Sequence, residues 1–357
     1  MRLIATEYLK EGFVPVGNIY DSKGNVLVRA GISLKQKYID ELKFKYKISY
    51  IFVEDPRTDE IVINQFVSDE LRFEALRRIK EALNNIRNSP AGGADIDYSK
   101  FESIVKEYIN SIYSVAAADY NFMDIKPYDD YTSAHSVNVM LLSILSGMAA
   151  NYSNIQIERL GLSGLLHDLG KGRIPLEILE KPDKLTAQEF ELMKKHSELG
   201  YEIVKDSVHR SVAEGVRYHH ERADGSGYPA GLNGDNIGIF AKNISVCDVY
   251  DAITSDRVYK NRVLPDIALG IIKSSKNQFD PDAVAHFLKF IIPYPKGTPV
   301  MLSNKLNGVV KKININNRSR PVVKILQDEN GDEVVPFFDI DLSKEKDLSI
   351  LRVIGDV

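Results

Sequence analysis

Little in this chain could tie it covalently or anchor it in a bilayer. Its 357 residues contain one cysteine, Cys247, which excludes an intrachain disulfide framework and fits a reducing compartment. No stretch approaches the roughly 18 consecutive apolar residues of a membrane-spanning helix. The opening MRLIATEYLKEGF has none of the apolar core of a signal peptide. A soluble, cytoplasmic protein without membrane contact is expected. Positive charge is not in excess either: 46 Lys and Arg stand against 50 Asp and Glu, a net charge of −4. That balance argues against a surface that coats DNA, although it leaves room for a local basic pocket. Internal repeats are absent. What remains is an ordinary globular composition, 44% hydrophobic, long enough for two or three domains.

Residues 1–65 read as a small α+β domain with a regulatory or docking role. GNIYDSKGNVLVRAG gives two strands turning at Ser22–Asn25, SLKQKYIDELKFKY an amphipathic helix and ISYIFVED a closing strand. Residues 66–97 hold a helix and a linker. Ser68 with Asp69 and Glu70 marks the helix start, and Leu76, Ile79, Leu83 and Ile86 line one face. That stripe serves either packing on a neighbouring domain or a homodimer. NSPAGGADID then breaks the pattern. Helical periodicity dominates 98–293, so the chain is mainly α, and residues 294–357 read as a small β unit. VVKKININ, RPVVKILQ and EVVPFFDI are its expected strands, with turns at Asn307-Gly308 and Asn330-Gly331.

Six of the seven histidines fall between 135 and 220. His135 lies early in an apolar-striped helix. The His167-Asp168 pair sits where Gly170 and Gly172 suggest a helix end. His196 follows a capping-box pattern, Thr186 with Glu189. His219-His220 closes a helix before the glycines of HHERADGSGYP, and Asp248 shares a helical face with Asp251. One histidine on a helix is usually a satisfied polar residue. Histidine and aspartate recurring on five successive helices, with adjacent HD and HH pairs, point to a metal site. Imidazole and carboxylate suit iron, manganese or zinc, and the lack of cysteine pairs argues against a structural zinc knot. A carboxylate shared by two ions would make a centre able to clamp a phosphate and activate water. Neighbouring side chains on a helix diverge by about 100°, so both His219 and His220 can face one ion only where the helix ends or distorts.

His167-Asp168 with Lys171, then HHERADGSGYP, resemble the HD-GYP family of HD-domain metal phosphohydrolases. The resemblance spans about residues 100–290 and takes in YTSAHS, KKHSELG and DVYDAITSDRVYK in family order. It implies an all-helical HD-type catalytic domain that hydrolyses cyclic di-GMP to linear pGpG, or onward to GMP. It further implies two divalent metals, iron or manganese. His135, His167, Asp168 and Asp248 would hold one, and Asp168 would bridge to a second held by His196, His219 and His220. Lys171 would neutralise a phosphate oxygen, and Arg257 and Lys260 would be a phosphate-binding pair. Tyr228 would face the substrate or dock a diguanylate cyclase domain. Asp251 would support a ligand or orient the attacking water, and His209 and His286 match no motif position. Some members carry a glutamate four residues before the first histidine for a third metal. Tyr131 stands there in this chain, so two ions are expected. Two alternatives accompany this reading: hydrolysis of another cyclic dinucleotide, and a catalytically weak receptor or cyclase-docking protein.

Overall fold

The computed structural model describes the chain apart from residues 22–23, 47, 63–66, 91–94, 115–130, 255–264 and 276, and apart from the side chains of Tyr131 and Asp266. The chain is mainly α: a helical core, a small N-terminal α+β unit and a C-terminal five-stranded sheet.

In the N-terminal unit, β1 (Arg2–Ala5) pairs antiparallel with β4 (Tyr50–Val53), and β2 (Ile19–Tyr20) pairs with β3 (Val26–Val28). Helix α1 (Gln36–Asp40) runs into a wider turn over Glu41–Lys45, so the expected single helix is divided. Ile4, Leu34, Leu42 and Val53 form its small core.

The helical core contains α2 (Asp69–Asn88), α3 (Tyr98–Tyr113), α4 (Tyr131–Ala149), α5 (Asn154–Leu166), α6 (Leu176–Leu179), α7 (Ala187–Lys194), α8 (His196–Val204), α9 (Arg210–Tyr218), α10 (Ile239–Thr254), α11 (Pro265–Ser274) and α12 (Pro281–Phe290). Helix α5 is buried through most of its length from Ile157 to Leu166, as expected for a helix surrounded by others. Helix α2 starts at Ser68, whose hydroxyl accepts from Leu71 N. Its stripe, including Ile79, Leu83 and Ile86, is buried in the same core as α3, α4 and α5. A methyl group on Gly172 would lie 2.8 Å from Ile86, so α2 braces the turn that follows His167-Asp168. The stripe is therefore used within the chain and gives no basis for a dimer. The helix packs into the helical core.

The C-terminal sheet contains β5 (Pro299–Leu302), β6 (Asn307–Lys312), β7 (Val322–Gln327), β8 (Glu333–Asp341) and β9 (Ile350–Val353), antiparallel in the order β8-β7-β6-β5-β9. The turn expected at Asn307-Gly308 is instead the start of β6. Gly308 fits there because a side chain would overlap the Lys324 carbonyl of the adjacent strand. Gly331 does occupy a turn, with φ +88°.

The two terminal units dock on each other. Leu3 N donates to Gly297 O and Ala5 N to Gly355 O, each at 2.9 Å, and Ile61 packs with Val309, Leu326 and Val357. At this junction the buried Arg2 guanidinium bonds Asp55 at 2.6 Å and also Asp356, while Arg57 Nη2 reaches Asp55 at 2.8 Å. Burial opposes charge on Asp55, but its bonds to Arg57 and Arg2 outweigh this and hold its carboxyl down at about 2. Its stabilisation is complete above the ordinary carboxyl value near ~4 and disappears as pH falls through the folded value. Asp55→Asn leaves Arg2 buried without that charge, and a loss of about 3 kcal/mol is expected. Thermal unfolding between pH 7 and pH 2 checks this: the variant should melt lower at neutral pH and lack part of the wild type's acid-side decline.

Candidate metal centre

His167, His196 and His219 share one local device. Each Nδ1 lies 2.7 Å from a carbonyl three residues earlier, that of Gly164, Met193 and Val216 respectively. A carbonyl only accepts, so each Nδ1 carries the proton and each Nε2 presents its lone pair. Helix ends make this possible: His167 caps α5, His196 opens α8 and His219 caps α9. His219-His220 lies beyond the last turn of α9, where adjacent side chains escape the helical divergence. Their rings lie 4.1 Å apart at 44°.

The exposed lone pairs face one another. His196 Nε2 stands 3.3 Å from His219 Nε2 and 3.1 Å from His220 Nε2, while His167 Nε2 is buried without a hydrogen-bond partner. Burial disfavours charge on His196, His219 and His220. It pushes His196 down to about 4, and burial with the neighbouring imidazoles holds His219 and His220 well below the ordinary histidine range. Neutral imidazoles with facing lone pairs repel unless a cation lies between them. The donor set fits a metal on this ground.

Two ligand groups emerge, His135–His167–Asp168 and His196–His219–His220. Asp168 lies between them: Oδ2 is 3.3 Å from His167 Nε2 and 3.8 Å from His135 Nε2, and Oδ1 is 3.5 Å from His196 Nε2. Burial opposes its charge, yet His167 and Lys171 hold its carboxyl well below the usual range. Asp248 also spans the groups, with Oδ1 3.0 Å from His135 Nε2 and Oδ2 3.6 Å from His220 Nδ1. Burial disfavours charge on His135, but bonds to Asp248 and Asp251 prevail and raise it to about 9.

Asp251 sits behind the ligands. Its Oδ2 bonds His135 Nδ1 at 2.6 Å and its Oδ1 accepts from Asn138 at 2.7 Å, the arrangement by which a carboxylate fixes the ring of a metal-binding histidine. It is placed to orient His135, the ligand-supporting one of the two roles expected of Asp251. Lys171 Nζ donates to Asp168 Oδ2. Tyr228 lies with its ring 4.6 Å from that of His220 at 31°. Arg257 and Lys260 lie outside the described residues, as does the side chain of Tyr131. His209 caps α9 and His286 packs near Tyr152, both apart from the site.

Two residues escaped sequence reasoning. Asn138, one turn beyond His135, steadies Asp251. Glu221, directly after the histidine pair, is 2% exposed and accepts from Ala230 N at 2.7 Å and Leu232 N at 2.9 Å. It staples the glycine loop to the end of α9. The loop presses on that backbone so closely that a side chain at Gly227 would overlap Arg222 N. No spacing rule announces Glu221 because its partners are backbone amides. Glu221→Gln keeps the shape but turns an NH2 toward one of those donors, at a cost of about 2 kcal/mol. Metal content should be retained while KM rises, which metal analysis with steady-state kinetics would check.

Residues 133–283 match the HD domain family, and 299–356 the KOW domain associated with HD domain. The cyclic di-GMP phosphodiesterase PA4108 of Pseudomonas aeruginosa is 34% identical over 282 residues, covering 78% of this chain and 68% of that protein. A cyclic di-GMP phosphodiesterase of Thermotoga maritima is 30% identical over 271 residues, covering 70% and 74%. Among solved structures, Bd1817, an HDG"Y"P protein from Bdellovibrio bacteriovorus, aligns with a TM-score of 0.52 over 80% of this chain and 97% of its own. At 19% identity that likeness concerns the fold alone. With the ordered histidine–aspartate set and the glycine loop in place, the chain belongs to the HD-GYP family of metal-dependent phosphodiesterases.

Proposed function

We propose that this chain hydrolyses cyclic di-GMP to linear pGpG with two divalent ions, iron or manganese. His135, His167, Asp168 and Asp248 would hold one ion, and His196, His219 and His220, with Asp168 between the groups, would hold the second. The observation that carries the reading is the inward convergence of the His135–His167–Asp168 and His196–His219–His220 groups, with Asp168 lying between them. Two ions bound there supply Lewis acidity to a phosphoryl group and acidify water near neutral pH.

The chain's own groups do the remaining work. The Asp251–His135 bond and the three carbonyl–imidazole bonds keep the rings from rotating, so the donors are ordered before substrate arrives. Lys171, partly exposed beside Asp168, offers a cation to the phosphoryl oxygens as negative charge develops on them. Tyr228, held over His220, bounds the site on the loop side. Net chemistry adds one water across one P–O3′ bond: the oxygen joins phosphorus, the 3′ oxygen departs with a proton, and a 5′-phosphorylated linear dinucleotide results.

A panel of cyclic di-GMP, mixed cyclic GMP–AMP and a simple phosphodiester, each incubated with metal-loaded protein and resolved by chromatography, tests the substrate. Cyclic di-GMP should give the highest kcat/KM. Preference for the mixed dinucleotide would replace it as substrate, and binding without turnover would favour a receptor.

A further inference from the structure

Helix α7 buries none of its own residues. It is held by a capping box between Thr186 and Glu189 and by the ion pair of Lys181 with Glu189 at 2.6 Å. One of its residues, Lys194, lies near the Tyr228 ring beside the metal centre, and Phe190 stands one turn earlier on the helix. Lys194 places its ammonium 5.1 Å from the Phe190 ring centroid and 5.7 Å from that of Tyr228. Glu191 pairs with the same ammonium at 2.6 Å from an exposed position, where such a pair holds weakly. An exposed aromatic alone is ordinary on a protein surface. What sets Phe190, 47% exposed, apart is the cation it shares with the ring that lies on His220. Aromatic faces and a loosely held cation thus lead outward from the metal ligands: His220, Tyr228, Lys194, Phe190.

A cyclic dinucleotide presents two purine faces and two phosphodiesters. The metal groups and Lys171 accommodate the phosphodiester that is cut, leaving a second anion and at least one base to be met elsewhere. We propose that Phe190 and Lys194 form the outer part of the substrate site. Phe190 stacks one purine, and Lys194 leaves Glu191 to bind the phosphodiester that is not cleaved. The chemistry matches: purine π-faces stack on aromatic side chains, and a lysine ammonium is a point charge for phosphate. This inference rests on the cyclic dinucleotide reading above and specifies which groups beyond the metal ligands select the substrate.

The chain contains no tryptophan, so Phe190→Trp introduces a single reporter at the proposed stacking position. In the metal-loaded full chain its emission should be quenched by cyclic di-GMP and by pGpG, saturating near KM, and unaffected by inorganic phosphate. Phe190→Ala and Lys194→Met should each raise KM for cyclic di-GMP about tenfold with kcat nearly unchanged. Lys194→Arg should restore most of the loss, which a merely structural role for Lys194 does not predict. Turnover of cyclic di-GMP by the wild type, with no quenching in Phe190→Trp and unchanged KM in both other variants, overturns the inference and leaves the phosphodiesterase reading standing. Quenching with unchanged KM in Lys194→Met removes the lysine alone. A fully metallated wild type that neither binds nor hydrolyses the dinucleotide overturns the reading, and the inference with it.

Discussion

Asp168→Ala should lose bound metal and turnover together. The carboxylate lies between the two ligand groups, within 4 Å of His135, His167 and His196, and takes the Lys171 ammonium as well. Removing it takes a negative charge from between the two ligand groups. The ions lose a ligand, and Lys171 is released from the position from which it meets the phosphoryl group. Charge stabilisation of this kind is worth several kcal/mol, so a fall of roughly 10³-fold or more in kcat is expected. Asp168→Asn keeps the volume and removes the charge, and should behave nearly alike. Metal analysis and turnover on the same preparations, with circular dichroism to show that the helices persist, check the prediction. Retention of both ions and turnover by either variant would contradict the bridging role.

Gly170→Ala is the second large effect, and its cause is steric. The turn after Asp168 lies against the first turn of α8 with no room for a side chain. A methyl group there would overlap the His196 carbonyl and lie 2.5 Å from Gly200 N. Both obstacles are backbone, so no rotamer change relieves them. Helix α8 must move away, carrying His196 from Asp168 and separating the two ligand groups. Overpacking of this kind costs about 3 kcal/mol, and the displacement of His196 adds a functional loss. The variant should melt at a lower temperature and, where still folded, bind fewer ions than the wild type. A variant with unchanged melting temperature and ion content would show that the turn tolerates separation from α8.

The centre was largely legible in the sequence because its residues bring their own local geometry. A histidine at a helix end, bonded through Nδ1 to the carbonyl three residues back, is a short-range device, and the glycines after His167-Asp168 and His219-His220 mark those ends. Asp251 was legible as an accessory to the site, but its role is set by His135, 116 residues away. Glu221 was invisible because backbone amides leave no side-chain pattern. The stripe on α2 showed that a face is buried and could not show against what, since apolar contact has no direction. Docking of the two terminal units includes Arg2 meeting Asp356, 354 residues later, and no periodicity encodes such a contact. Gly308 misled for a related reason: Asn-Gly is a turn signal unless a neighbouring strand requires a residue without a side chain.

The most direct test is anaerobic reconstitution of the full chain with Fe(II) or Mn(II), counting bound ions per chain and resolving the products of cyclic di-GMP in the same samples. The account predicts two ions per chain, activity rising with the second ion, and pGpG as the main product. Two bound ions with cyclic di-GMP left intact, or full activity with one ion, would contradict it.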